Sequence, residues 1–166
     1  AAVQLAKAYG AAVTAVVATR HLDLVRTLGA DRAVDYTTED FTHIGEVFDF
    51  AFDAVGKTSY FRCRRLLKPD GVFAATDLGP WCQNPLLVLW SSITGSHRVI
   101  FPLPKSSEAK ALVEALKIRM EAGQFRPVVD RVYPLAAIAD AYRYVETKQK
   151  TGIVVISPMT SHSAVA

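Results

Sequence analysis

Cysteine is scarce: two in 166 residues, at Cys63 and Cys82, with no C-x-x-C spacing. That excludes a disulfide scaffold and makes a reducing, cytoplasmic setting the expectation. Nine glycines and eight prolines are too few for a collagen-like or linker-like chain. No apolar run reaches the ~18 residues of a membrane span, and no basic segment precedes an apolar stretch as in a secretory leader. No membrane partner is therefore expected. Neither charge sign dominates, since 19 Lys and Arg face 16 Asp and Glu for a net charge of +3. The single basic cluster, between Arg62 and Arg65, is short, so no nucleic-acid partner is expected either. The four histidines, at positions 21, 43, 97 and 162, form no H-E-x-x-H or Cys/His cluster. The chain opens inside a helix-forming pattern, without an initiator Met and without a Ser, Thr, Asp or Asn cap. Its beginning therefore reads as cut.

What is present is the composition of a folded domain, 51% hydrophobic and 21% charged. Residues 12–18 are short, apolar and β-branched, as in a strand buried on both faces. A helix follows over 22–28 with Gly29 as its stop, then a strand over 32–35 and a capped turn at 37–40. Phe48, Phe50 and Phe52 alternate along a strand and are expected in the core. A helix capped by Thr58 or Ser59 leads to the turn signature Pro69-Asp70-Gly71 and a strand over 72–76. Asn84-Pro85 starts a helix, residues 98–101 form a strand, and the longest helix opens at Ser106 or Ser107. Its stripe of Ala109, Leu112, Val113, Leu116 and Met120 has helical spacing. An extended stretch, a helix over 135–147 and a strand over 152–156 complete the chain.

This alternation predicts an α/β fold, a doubly wound, Rossmann-like, mostly parallel sheet with helices on both faces. Such sheets hold ligands beyond the carboxyl ends of their strands. The positions to read for function are therefore Thr19 to His21, Tyr36, Ala54 to Gly56, Asp77 to Gly79 and Phe101 to Leu103.

Five motifs in order carry a resemblance: Ala2-Val3-Gln4-Leu5-Ala6-Lys7-Ala8-Tyr9-Gly10-Ala11, Leu28-Gly29-Ala30-Asp31 with Asp35-Tyr36, Phe52-Asp53-Ala54-Val55-Gly56, Leu66-Leu67-Lys68-Pro69-Asp70-Gly71 and Thr151-Gly152-Ile153-Val154-Val155-Ile156. Together they resemble the cofactor domain of medium-chain dehydrogenases/reductases, most of all the quinone oxidoreductase group, in which catalytic zinc is typically absent. The resemblance implies that the first strand, its Gly-rich phosphate loop and the catalytic domain lie outside this sequence. It divides the chain into a partial dinucleotide-binding domain (1–123), a return segment (124–157) and a tail (158–166). It implies an oxidoreductase that passes hydride from NADPH to a small quinone or enone substrate, with these residues alone inactive and no zinc.

Enzymes that favour NAD carry Asp or Glu after the second strand to bind the ribose hydroxyls. Here Thr19-Arg20 stands there, and Arg20 suits a 2′-phosphate, so NADPH is preferred over NADH. By the same resemblance, Tyr36 lies near the adenosine phosphate and Val55 and Gly56 near the nicotinamide ribose. Leu78, Gly79 and Phe101 line the nicotinamide side, and Lys150 matches a basic position close to the cofactor. No residue is assigned as acid, base or nucleophile. The alternative is a non-catalytic dimerisation or folding module, a homodimer formed through the edge strand over 98–101.

Two motifs point elsewhere. Residues 51–58, A-F-D-A-V-G-K-T, lack one Gly of the triphosphate loop G-x-x-x-x-G-K-[ST]. A nucleotide triphosphatase is thus a remote reading. Tyr144 and Lys148 have the spacing of a short-chain dehydrogenase pair, but no Ser partner lies at a suitable distance upstream.

Overall fold

The computed structural model describes residues 1–76, 87–91, 97–102 and 105–158. Every strand pairing in it is parallel, as alternating strands and helices require. Among the described residues the strands fall into three sheets of two, three and two strands. Among the described residues, no helix is long and apolar enough to cross a membrane.

The first sheet joins β1 (Thr14–Val17) to β2 (Arg32–Asp35), in register from Thr14 opposite Arg32 to Val17 opposite Asp35. The crossover is α2 (Leu22–Thr27), which buries Val25 and ends before Gly29, whose φ of +98° is a left-handed conformation. Val34 is fully buried. Helix α1 (Ala2–Ala8) has no side-chain cap, and an ion pair is one of its attachments. Lys7 Nζ lies 2.9 Å from both Asp31 oxygens, and the Val13 N–H donates to Asp31 Oδ2 at 2.7 Å.

The second sheet has the order β3 (Phe48–Asp53), β4 (Leu67–Ala75), β5 (Arg98–Ile100). Its core is Tyr60, Cys63, Leu67, Phe73, Ala75, Leu87 and Val99. Tyr60 and Cys63 come from α3 (Tyr60–Cys63), and Leu87 from a helical turn, α4, over 87–91. Ser59 occupies the cap position of α3 without a side-chain capping bond. Phe73 packs edge-on against Tyr60 with ring centres 6.1 Å apart.

Pro69-Asp70-Gly71 makes an irregularity inside β4 instead of a turn before it. Phe48 pairs with Leu67 while Phe50 pairs with Val72, so extra residues bulge from β4. Gly71 permits this close approach: a Cβ there would lie 2.9 Å from the Lys68 carbonyl oxygen. The alternating phenylalanines are not core. Phe50 is 52% and Phe52 42% exposed, and their rings stack at 6.3 Å. The packed face of β3 carries Ala51 instead, which lies against the core.

Helix α5 (Ser106–Glu121) is as long as its spacing predicts but has no buried residue. The third sheet joins β6 (Val129–Pro134) to β7 (Ile153–Ser157), with α6 (Ile138–Glu146) between them burying Ala141. Gln4 ties α1 to the start of this segment through two hydrogen bonds with the Arg126 backbone, at 2.9 and 2.8 Å.

Candidate functional site

Parallel strands end at one rim of each sheet, and Arg20, Tyr36, Val55, Gly56 and Phe101 follow those ends. Arg20 sits in the short 3-10 turn Thr19–His21 after β1. It is exposed, and its Nε donates to His21 Nε2 at 3.0 Å. Among the described residues no carboxylate lies within ion-pair distance of Arg20. Tyr36 follows β2 and is 57% exposed, and its N–H donates to the Val17 carbonyl at 3.1 Å. The ends of β1 and β2 therefore bring Arg20 and Tyr36 to neighbouring chain ends.

After β3 the chain turns around Asp53. This carboxylate is 7% exposed. Its Oδ1 accepts from the N–H groups of Val55, Gly56 and Lys57, and its Oδ2 from that of Thr58. Four donors aimed at one anion form a nest of the kind that elsewhere holds phosphate, and here the chain's own carboxylate fills it. The triphosphate-loop lookalike is thus not a triphosphate cradle. The turn leaves Val55 74% exposed and gives Gly56 a φ of +71°, a conformation that favours glycine. The Thr76 N–H donates to the Asp53 carbonyl at 3.2 Å, which sets the ends of β3 and β4 side by side. Phe101 follows β5 and is half-buried.

Leu78 and Gly79 lie outside the described residues. Lys150 follows α6. It precedes β7, at the amino end of the third sheet, and its Nζ donates to the Gly152 carbonyl at 3.2 Å.

The Tyr144 hydroxyl donates to Asp130 Oδ2 at 2.9 Å, and that bond raises the phenol above its ordinary range. A proton donor activated by a neighbouring Lys needs the opposite shift, and Lys148 serves the backbone instead, with φ of +59° at the end of α6. Among the described residues no group of three His, Cys, Asp or Glu side chains could hold a metal ion.

The reading of strand ends did not single out Asp35, Thr19 and Thr37 as a unit. Asp35 is 8% exposed and accepts hydroxyl hydrogens from both threonines. Those bonds hold its carboxyl below the ordinary range, the Thr19 bond contributing most. Thr37 lies two residues from Asp35, whereas Thr19 arrives from the turn after β1, 16 residues away.

A profile of zinc-binding dehydrogenases matches residues 28–156. The chloroplastic NADPH-dependent alkenal/one oxidoreductase of Arabidopsis thaliana is 34% identical over 161 residues, which cover 95% of this chain and 37% of that protein. The 2-methylene-furan-3-one reductase of Solanum lycopersicum is 32% identical with the same coverage, 95% and 37%. The crystal structure of a 2-haloacrylate reductase superposes with a TM-score of 0.74 at 25% identity, over 95% of this chain and 53% of the other. The chain thus spans little more than a third of the length of the two plant relatives. Parallel strands, rim loops and a profile covering more than half of the sequence agree: the chain belongs to the zinc-binding dehydrogenase family of the medium-chain dehydrogenase/reductase superfamily.

Proposed function

We propose that this chain supplies the NADPH-binding portion of a reductase acting on quinone or enone substrates. One observation carries the reading. The turn after β1, where NAD-preferring sheets present a carboxylate, presents Arg20, exposed and without a carboxylate partner among the described residues. A guanidinium matches a phosphate dianion in charge and geometry, and exposed Tyr36 follows β2, the strand paired with β1. The relatives named for NADPH and for alkenal or enone reduction support the same assignment. When bound, NADPH supplies the hydride. The chain's part is to bind and orient it, with Arg20 and Tyr36 at the adenosine end and Val55, Gly56 and Phe101 toward the nicotinamide end.

The test is a pair of titrations. Wild type binds NADPH more tightly than NADH, and Arg20→Ser weakens NADPH about tenfold or more while leaving NADH unchanged. Equal affinity of the wild type for both cofactors overturns the reading. None of the named rim residues is an acid or base for the chemical step, so we expect this chain alone to be inactive. Robust NADPH-dependent quinone reduction by residues 1–166 alone would contradict that.

A second reading rests on β5, which among the described residues pairs only with β4 and so stands at the edge of their sheet. An edge strand can pair with its copy across a two-fold axis. Light scattering that finds a strict monomer at high concentration removes this homodimer.

A further inference from the structure

Asp35 and Asp53 are the two buried carboxylates among the described residues, and each ends a strand. Among the described residues the Asp53 carboxylate bonds only its own loop. Asp35 differs, because it joins two strand ends. On Oδ2 it accepts from Thr19 Oγ1 at 2.5 Å; on Oδ1 it accepts from Thr37 Oγ1 at 2.6 Å and from the Thr37 N–H at 2.9 Å. The two threonine oxygens lie 3.0 Å apart, but both hydroxyl hydrogens are committed to the carboxylate. Among the described residues no Lys, Arg or His forms an ion pair with Asp35. A buried charge without a counter-cation must be satisfied by hydrogen bonds, and these bonds do so.

What they fix is specific. Thr19 directly precedes Arg20, and Thr37 directly follows Tyr36. One carboxylate thereby locks the residues flanking both members of the proposed phosphate pair. We propose that Asp35 is a positioning residue for cofactor discrimination. It holds the ends of β1 and β2 so that Arg20 and Tyr36 address one 2′-phosphate together. A negative charge near a phosphate repels it, so electrostatics alone predicts the opposite sign for its removal. This inference rests on the NADPH reading.

The experiment compares NADPH and NADH dissociation constants, measured by calorimetry on the full chain, for wild type, Asp35→Asn, Thr19→Val and Thr19→Ser. The proposal expects a wild-type preference for NADPH. It expects that preference to fall about tenfold in Asp35→Asn and Thr19→Val, with NADH affinity within twofold of wild type, and to be kept in Thr19→Ser, which retains the hydroxyl. An unchanged preference in Thr19→Val, a gain in NADPH affinity in Asp35→Asn, or equal losses for both cofactors overturns the positioning role and leaves the NADPH reading standing. A wild type without preference overturns the NADPH reading and this inference with it. If Asp35→Asn does not fold, Thr19→Val, which removes only one bond to the carboxylate, decides the matter.

Discussion

At the scale of single residues, two carboxylates, Asp53 and Asp31, organise backbone donors around them. Removing the Asp53 side chain strands four backbone donors. Asp53→Ala should therefore cost about 2–3 kcal/mol in denaturant unfolding, and Asp53→Asn, which keeps one acceptor oxygen, about 1 kcal/mol. Amide exchange at 55–58 should speed up in both. Asp31 offers a pH test. The Val13 N–H first, then the Lys7 ammonium, hold its carboxyl below the ordinary range. A folded value below the unfolded one, about 3.9, means stabilisation that is complete above that pH and lost as pH falls through the folded value. The melting temperature should therefore hold from neutral pH to about pH 5 and drop below about pH 4. The gap between wild type and Asp31→Asn should close over the same window. Asp53 was readable from the sequence as a loop organiser because its partners lie within five residues. The Thr19–Asp35 bond was not, because hydroxyls 16 residues apart leave no periodic trace.

At the scale of elements, β-branched runs and left-handed glycines located β1, β2, β7 and the end of α2 to within a residue or two. Amphipathic α6 was equally legible, since Leu135, Ile138, Tyr142 and Val145 recur at helical spacing. Two features were not. Pro69-Asp70-Gly71 has turn chemistry, and only the pairing of β3 on both sides of it reveals a bulge. The α5 stripe has core periodicity, yet Leu112 and Val113 remain exposed, because periodicity states which residues share a face and not what covers it. The close approaches give a graded test. Gly71→Ala brings a methyl against the Lys68 backbone and should cost about 1–3 kcal/mol. Gly152→Ala drives a methyl into the Val128 carbonyl, which accepts the Ile153 N–H at 2.8 Å. It should cost more and should loosen the β6–β7 pairing, as read by amide exchange in β7.

At the scale of the whole molecule, packing is concentrated around β4. Phe73 is 1% exposed, and Phe73→Ala should cost about 3–5 kcal/mol. Leu112→Gln on α5 should stay within about 0.5 kcal/mol. The class of fold followed from alternation alone, but the division into three sheets did not, since strand adjacency is a property of the assembled chain. Two-stranded sheets are marginal by themselves, so amides of β1–β2 and β6–β7 should exchange faster than those of β4. The same concentration of packing hides Cys63, the last residue of α3, 5% exposed in the core, where burial pushes its thiol above the ordinary range. Electron-poor alkenes of the kind proposed as substrates add readily to accessible thiolates. Buried in the core cluster, this cysteine gives such compounds no accessible nucleophile to alkylate, and the domain can meet a reactive substrate without being inactivated at that position.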